Sequence, residues 1–109
     1  MSLNALIINT LKHLNVQVSF QEYTGSAGTF ITFFEFSQTP AVHADDEELQ
    51  SNHSIQINIF SKSDYTELVR QVKTELKIVG FKRTFETELY ELDTKVYHKV
   101  LRFNFVEEA

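Results

Sequence analysis

The stretch from Asn52 to Phe81 constrains the fold more than any other, because its apolar period switches from two to helical and then stops on a glycine. His53, Ile55, Ile57 and Ile59 alternate with Ser54, Gln56 and Asn58, the pattern of a strand with one buried face. Ser61-Lys62-Ser63 interrupts it. Asp64 stands three residues before Glu67, the spacing of a capping box in which each side chain takes an orphan backbone donor. Tyr65, Leu68, Val69, Val72, Leu76 and Val79 then recur at helical spacing, and Gly80 provides a left-handed stop. A strand feeding directly into an amphipathic helix points to an α+β architecture.

The flanking segments complete that reading. Ser2 is placed to cap a first helix whose stripe is Leu3, Leu6, Ile7, Leu11 and Leu14, ending near His13 to Asn15. Val16, Val18 and Phe20 form a first strand, and the glycines of 24–28 suit a hairpin connection to the next. That second strand, Thr29 to Ser37, has Phe30, Phe34 and Phe36 on one face and Ile31 and Phe33 on the other. A strand apolar on both faces is central or is covered by a neighbouring subunit. Gln38 to Ser51 has no pattern, holds the only proline, and reads as a long loop. Further on, Phe81, Arg83, Phe85 and Thr87 alternate with Lys82, Thr84, Glu86 and Glu88. Leu92 to Lys95 is a turn, and the last strand sets Tyr97, Leu101, Phe103 and Phe105 opposite His98, Arg102 and Asn104. The expected order is α-β-β-β-α-β-β in one domain over 1–109, a mostly antiparallel sheet with both helices packed on one face.

Composition narrows the functional classes. A chain of 109 residues with 10 Phe and 4 Tyr buries enough area for one core without staples. Without cysteine it has no disulfide, thiolate metal site or Cys nucleophile. The net charge of -5 and dispersed basic residues, Lys82-Arg83 being the densest pair, argue against specific nucleic-acid binding. No apolar run approaches the ~20 residues of a membrane helix, and the first residues do not read as a signal peptide.

Candidate chemistry is sparse. His43 with Asp45, Asp46 and His53 has ligand types for a metal but no recognised spacing, so no metal site and no cofactor are expected. His13 suits the negative end of a helix dipole. Asp45-Asp46-Glu47-Glu48 is an acidic run rather than a pair of differently tuned carboxylates. Neither Ser54 nor Ser63 sits in a nucleophile elbow, and no glycine loop opens a helix to hold phosphate. No enzyme is expected. The Phe-rich strand could offer stacking faces, but Glu22 and Glu35 stand where a nucleic-acid platform needs cations.

Ser61-Lys62-Ser63-Asp64-Tyr65 before the helix, Gly80-Phe81 after it, and Tyr97-His98-Lys99 with Leu101-Arg102-Phe103 in the last strand resemble small tail proteins of phages and prophages. The type is the tail terminator, or tail-completion (head–tail joining) protein, and the resemblance in element order spans nearly the whole chain. It implies a structural subunit that assembles into a hexameric ring at the end of the tail tube and that can be monomeric until it meets the tube. Its partners would be itself, the major tail tube protein and head–tail connector proteins, in the virion tail and, during assembly, the host cytoplasm. Phe33 and Phe34 on the over-apolar strand and Asp45, Asp46, Glu47 and Glu48 in the acidic run are the interface candidates. The alternative is a monomeric binding or regulatory module that takes a peptide or small ligand on the Phe-rich sheet.

Overall fold

A computed structural model describes residues 2–44 and 47–108. The elements follow the expected order: α1 (Leu3–Leu11) with a 3-10 turn (Lys12–Leu14), β1 (Gln17–Phe20), β2 (Thr29–Ala44), β3 (Glu47–Ser61), α2 (Thr66–Ile78), β4 (Lys82–Glu91) and β5 (Val96–Glu108). One five-stranded sheet runs β1-β2-β3-β5-β4, antiparallel except for β1 against β2. The fold is α+β.

Both helices are fixed by their ends. Ser2 Oγ accepts from the Ala5 N–H at 3.1 Å, and Asn15 closes the 3-10 turn in the left-handed region. At the end of α2, Gly80 has φ of 106°, its N–H reaches the Lys77 carbonyl, and the Phe81 N–H reaches the Leu76 carbonyl. That pair of bonds is a Schellman stop, sealed by the burial of Leu76 and Phe81. The start of α2 differs from expectation. Asp64 Oδ1 accepts from the Thr66 N–H (3.0 Å) and hydroxyl (2.7 Å), an Asx turn one residue ahead of the N-cap Tyr65. The capping box therefore does not close, and Glu67 pairs with Arg70 instead.

The core is one cluster between the helices and one sheet face. Ile7 and Leu11 of α1 and Val69, Val72 and Leu76 of α2 pack with Ile31, Phe33, Ile55, Ile57, Ile59, Leu101 and Phe103. Register explains the membership: Phe33, Ile57 and Leu101 form one row across three strands, and Ile31 and Ile59 begin the next. Alternation along β3 points every second residue at the helices, as a half-buried strand requires.

Three expectations are corrected. β1 and β2 are parallel, with Gln17 beside Phe30 and Phe20 beside Phe33, so 21–28 is a return crossover and not a hairpin. In β4 a bulge at Thr84 shifts parity: Arg83 pairs with Phe103 on the helix side, whereas Phe85 pairs with Arg102 on the other. Finally, the described residues of the Gln38 to Ser51 segment are strand and not loop. Pairing of β2 with β3 continues through Thr39–Asn52 and Val42–Gln50 to Ala44–Glu47. With β5 this makes a three-stranded arm and gives the molecule its 53 × 26 × 24 Å shape. None of the core cluster lies in the arm beyond His53.

Candidate interaction surfaces

The sheet face away from the helices is uncovered, and the strand register lays its side chains out in rows. Phe30, Phe60, His98 and Leu89 form one row, Thr32, Asn58, Val100 and Thr87 the next, and Phe34, Gln56, Arg102 and Phe85 the third. In the first, rings stack in sequence: Tyr23 on Phe30 at 4.3 Å, Phe30 on Phe60 at 4.9 Å, and Phe60 on His98 at 4.1 Å. Their faces are engaged with one another, which leaves edges rather than stacking planes for a ligand.

The middle row is sunk between its longer neighbours, and its polar atoms are satisfied by a network. Asn58 Oδ1 accepts from His98 Nε2 and from Gln56 Nε2, both at 2.9 Å, and Arg102 Nε donates to Gln56 Oε1 at 3.1 Å. Burial pushes the His98 pKa below its ordinary value, with Glu91 pulling weakly the other way. In the third row the Arg102 guanidinium lies 4.8 Å from the Phe36 ring centre and 5.4 Å from that of Phe85. Those two rings are 45 % and 47 % exposed, so this cation–π sandwich presents apolar surface on the open face.

The arm is pinned where it leaves the body. His53, only 6 % exposed, meets the Glu35 carboxylate through Nδ1, while Nε2 lies 3.3 Å from Glu107. The Nε2 contact lacks hydrogen-bond geometry, so Glu107 contributes charge and not a directed bond. Each of the three strands of the arm supplies one member of this cluster.

The expected interface residues separate. Phe33 is fully buried under the helices, edge-to-face with Phe20 at 5.7 Å, and offers the surface nothing. Phe34 is half-buried on the open face. Glu47 and Glu48 begin β3 at the end of the arm, paired with Ala44 and His43. Asp45 and Asp46 lie outside the described residues. His53 is held by Glu35 and Glu107, and among the described residues no group of three or more His, Asp or Glu could hold a metal ion. His13 approaches Glu75 at 3.5 Å, linking the two helices. No helix among the described residues is long and apolar enough to cross a membrane.

The Arg102 sandwich was hidden from the sequence by the Thr84 bulge, since unbroken alternation sends Phe85 to the helix side. The basic residues, dispersed along the chain, are not dispersed in space: Lys73, Lys77, Lys82 and Arg83 gather at one cleft. The Lys82-Arg83 pair just after the glycine stop was the available signal.

No protein-family model matches the sequence, and no curated protein matches it. Among solved structures, the fold is similar to a chain of the virion of the native gene transfer agent particle. The TM-score is 0.69 at 13% sequence identity, covering 99% of this chain and 96% of the other. At that identity the likeness establishes the shared fold.

Proposed function

We propose that this chain is a structural, non-catalytic component of a phage-type virion, and more narrowly a tail terminator. It would form a ring on the end of the tail tube, stop tube growth and receive the head–tail connector. The carrying observation is the end-to-end fold likeness to a virion chain, which spans 99% of this chain and 96% of the other. The residue-level resemblance around α2 and β5 supports the narrower role. A ring subunit needs two different patches, each complementary to the other, for a head-to-tail contact. The projecting arm and the cationic cleft at the start of β4 are two such surfaces on one molecule. The reading needs no cofactor and no chemistry, and the partners are further copies, the major tail tube protein and the connector.

The test is electron microscopy of lysates from a phage or prophage lacking the gene. Overlong or ragged tails without heads are expected, restored by the gene in trans. Tails of normal length joined to heads would overturn the role.

A further inference from the structure

Four of the ten Lys and Arg residues surround one cleft of about 540 Å³ between the end of α2 and the start of β4. Lys73, Lys77, Lys82 and Arg83 form its rim, and Phe81 and Phe103 its floor. Glu86 is the local counter-charge and is shared three ways, at 3.1 Å from Lys73, 3.2 Å from Arg83 and 2.9 Å from Lys99. Lys77 and Lys82 have no ion pair among the described residues. In a chain of net charge -5 this is a concentrated positive site.

The complementary charge is on the chain itself. Of its 15 acids, four are consecutive in the sequence, Asp45 to Glu48, and the last two, Glu47 and Glu48, begin β3 at the end of the arm. The subunit's own arm is aimed away from its own cleft. Lys82 pairs with Asn104 and Asn104 with Ser54, so the cleft is level with Ser54, and Glu47 is seven residues farther along β3. At ~3.3 Å per residue that is about 23 Å of strand leading away. We propose that the cleft receives the arm of a second copy of this chain, through Glu47 and Glu48 at the start of its β3. The contact joins unlike patches, so it propagates head to tail and closes into a ring when the rotation allows. It rests on the self-association in the proposed function and not on the place in the tail. Nucleic acid fits the cleft less well: Glu86 stands among the cations, and the floor rings, 3 % and 1 % exposed, are closed to base stacking.

Because the chain has no cysteine, the contact can be trapped site-specifically. The variant carrying both Lys77→Cys and Glu47→Cys, oxidised mildly at high concentration, is expected to give a ladder of dimers, trimers and larger species. A mixture of the two single variants should stop at dimers. Lys95→Cys with Glu47→Cys, on the turn remote from the cleft, should give no ladder. Adding Lys82→Glu and Arg83→Glu should reduce the ladder at least tenfold, and adding Glu48→Lys to that background should recover part of it. Absence of a ladder, an equal ladder from the Lys95 control, or indifference to charge reversal would overturn the proposal. So would retention of duplex DNA that the charge reversals abolish while no ladder forms. A ladder with normal tails from phage lacking the gene would keep the contact and remove the tail role; overlong tails without a ladder would do the reverse.

Discussion

Phe33 and Phe34 are consecutive in the chain and lie on opposite faces of β2, one fully buried beneath the helices and one half-exposed on the open sheet. The pleat separates their functions. Phe33→Ala opens a cavity beside Ile57 and should cost about 3–5 kcal/mol in urea melts. Phe34→Ser removes only partial burial, about 1 kcal/mol. Equal losses at the two positions would contradict the register.

Gly80 holds a backbone angle that other residues adopt at a cost. A Cβ there would meet Phe105 at 3.5 Å, an ordinary contact, so the penalty is conformational and not steric. Gly80→Ala should therefore lower stability by about 1–2 kcal/mol, measured by denaturant unfolding with unchanged m-value. A loss of 4 kcal/mol would mean that the Schellman turn and the Phe81–Phe105 stack at 4.5 Å fail together.

What the sequence disclosed and what it hid divide along a physical line. Ile55, Ile57 and Ile59, the α2 stripe and the Gly80 stop were legible because packing on a core imposes a period and a helix end demands a special residue. The arm was illegible for the same reason: past His53 its strands pack on no core residue, so backbone pairing holds them together and leaves no alternation to read. The direction of β1 left no trace either, since four residues carry no polarity and 21–28 is long enough to turn back or cross over. A bulge such as that at Thr84 reverses every later side chain without any signature of its own. The cationic cleft required tertiary structure, because Lys73 and Arg83 meet only through the turn at Gly80.

Acid should weaken the fold in two separable stages. Burial lowers the His98 pKa, so the unfolded chain takes up its proton near the ordinary 6.5 while the folded chain does not. The unfolded state binds more protons in that window, and stability falls as pH drops from about 6.5 toward the lower folded value. Glu86 is lowered by its hydrogen bond to Lys99 and by Lys73, so its contribution is present above the ordinary 4.5 and is lost as pH falls below it. His98→Gln should flatten the first stage and leave the second. Thermal melts of both proteins from pH 7.5 to 3.5 measure this; an unchanged upper stage in the variant would show that His98 does not carry it.

The arm should be separable from the body that carries it. Thr39 and Asn52 are direct partners across β2 and β3, so replacing residues 40–51 by Asn-Gly supplies a two-residue turn whose twist matches the flanking strands. The replacement spares the His53 cluster with Glu35 and Glu107 and removes no member of the buried cluster. Some pairing with β5 goes with it, at Gln50–Glu108 and Ser51–Glu107, while the shorter connection lowers the entropy lost on closing the hairpin. These effects oppose one another, and unfolding free energy should stay within about 1 kcal/mol of the parent. Assembly should not survive. Tails from a phage carrying only the shortened protein should match those of the phage lacking the gene, although the protein is soluble and cooperatively folded. Full infectivity with the shortened arm would remove it as an interface, and a fall of 3 kcal/mol or more would make it a brace for the core.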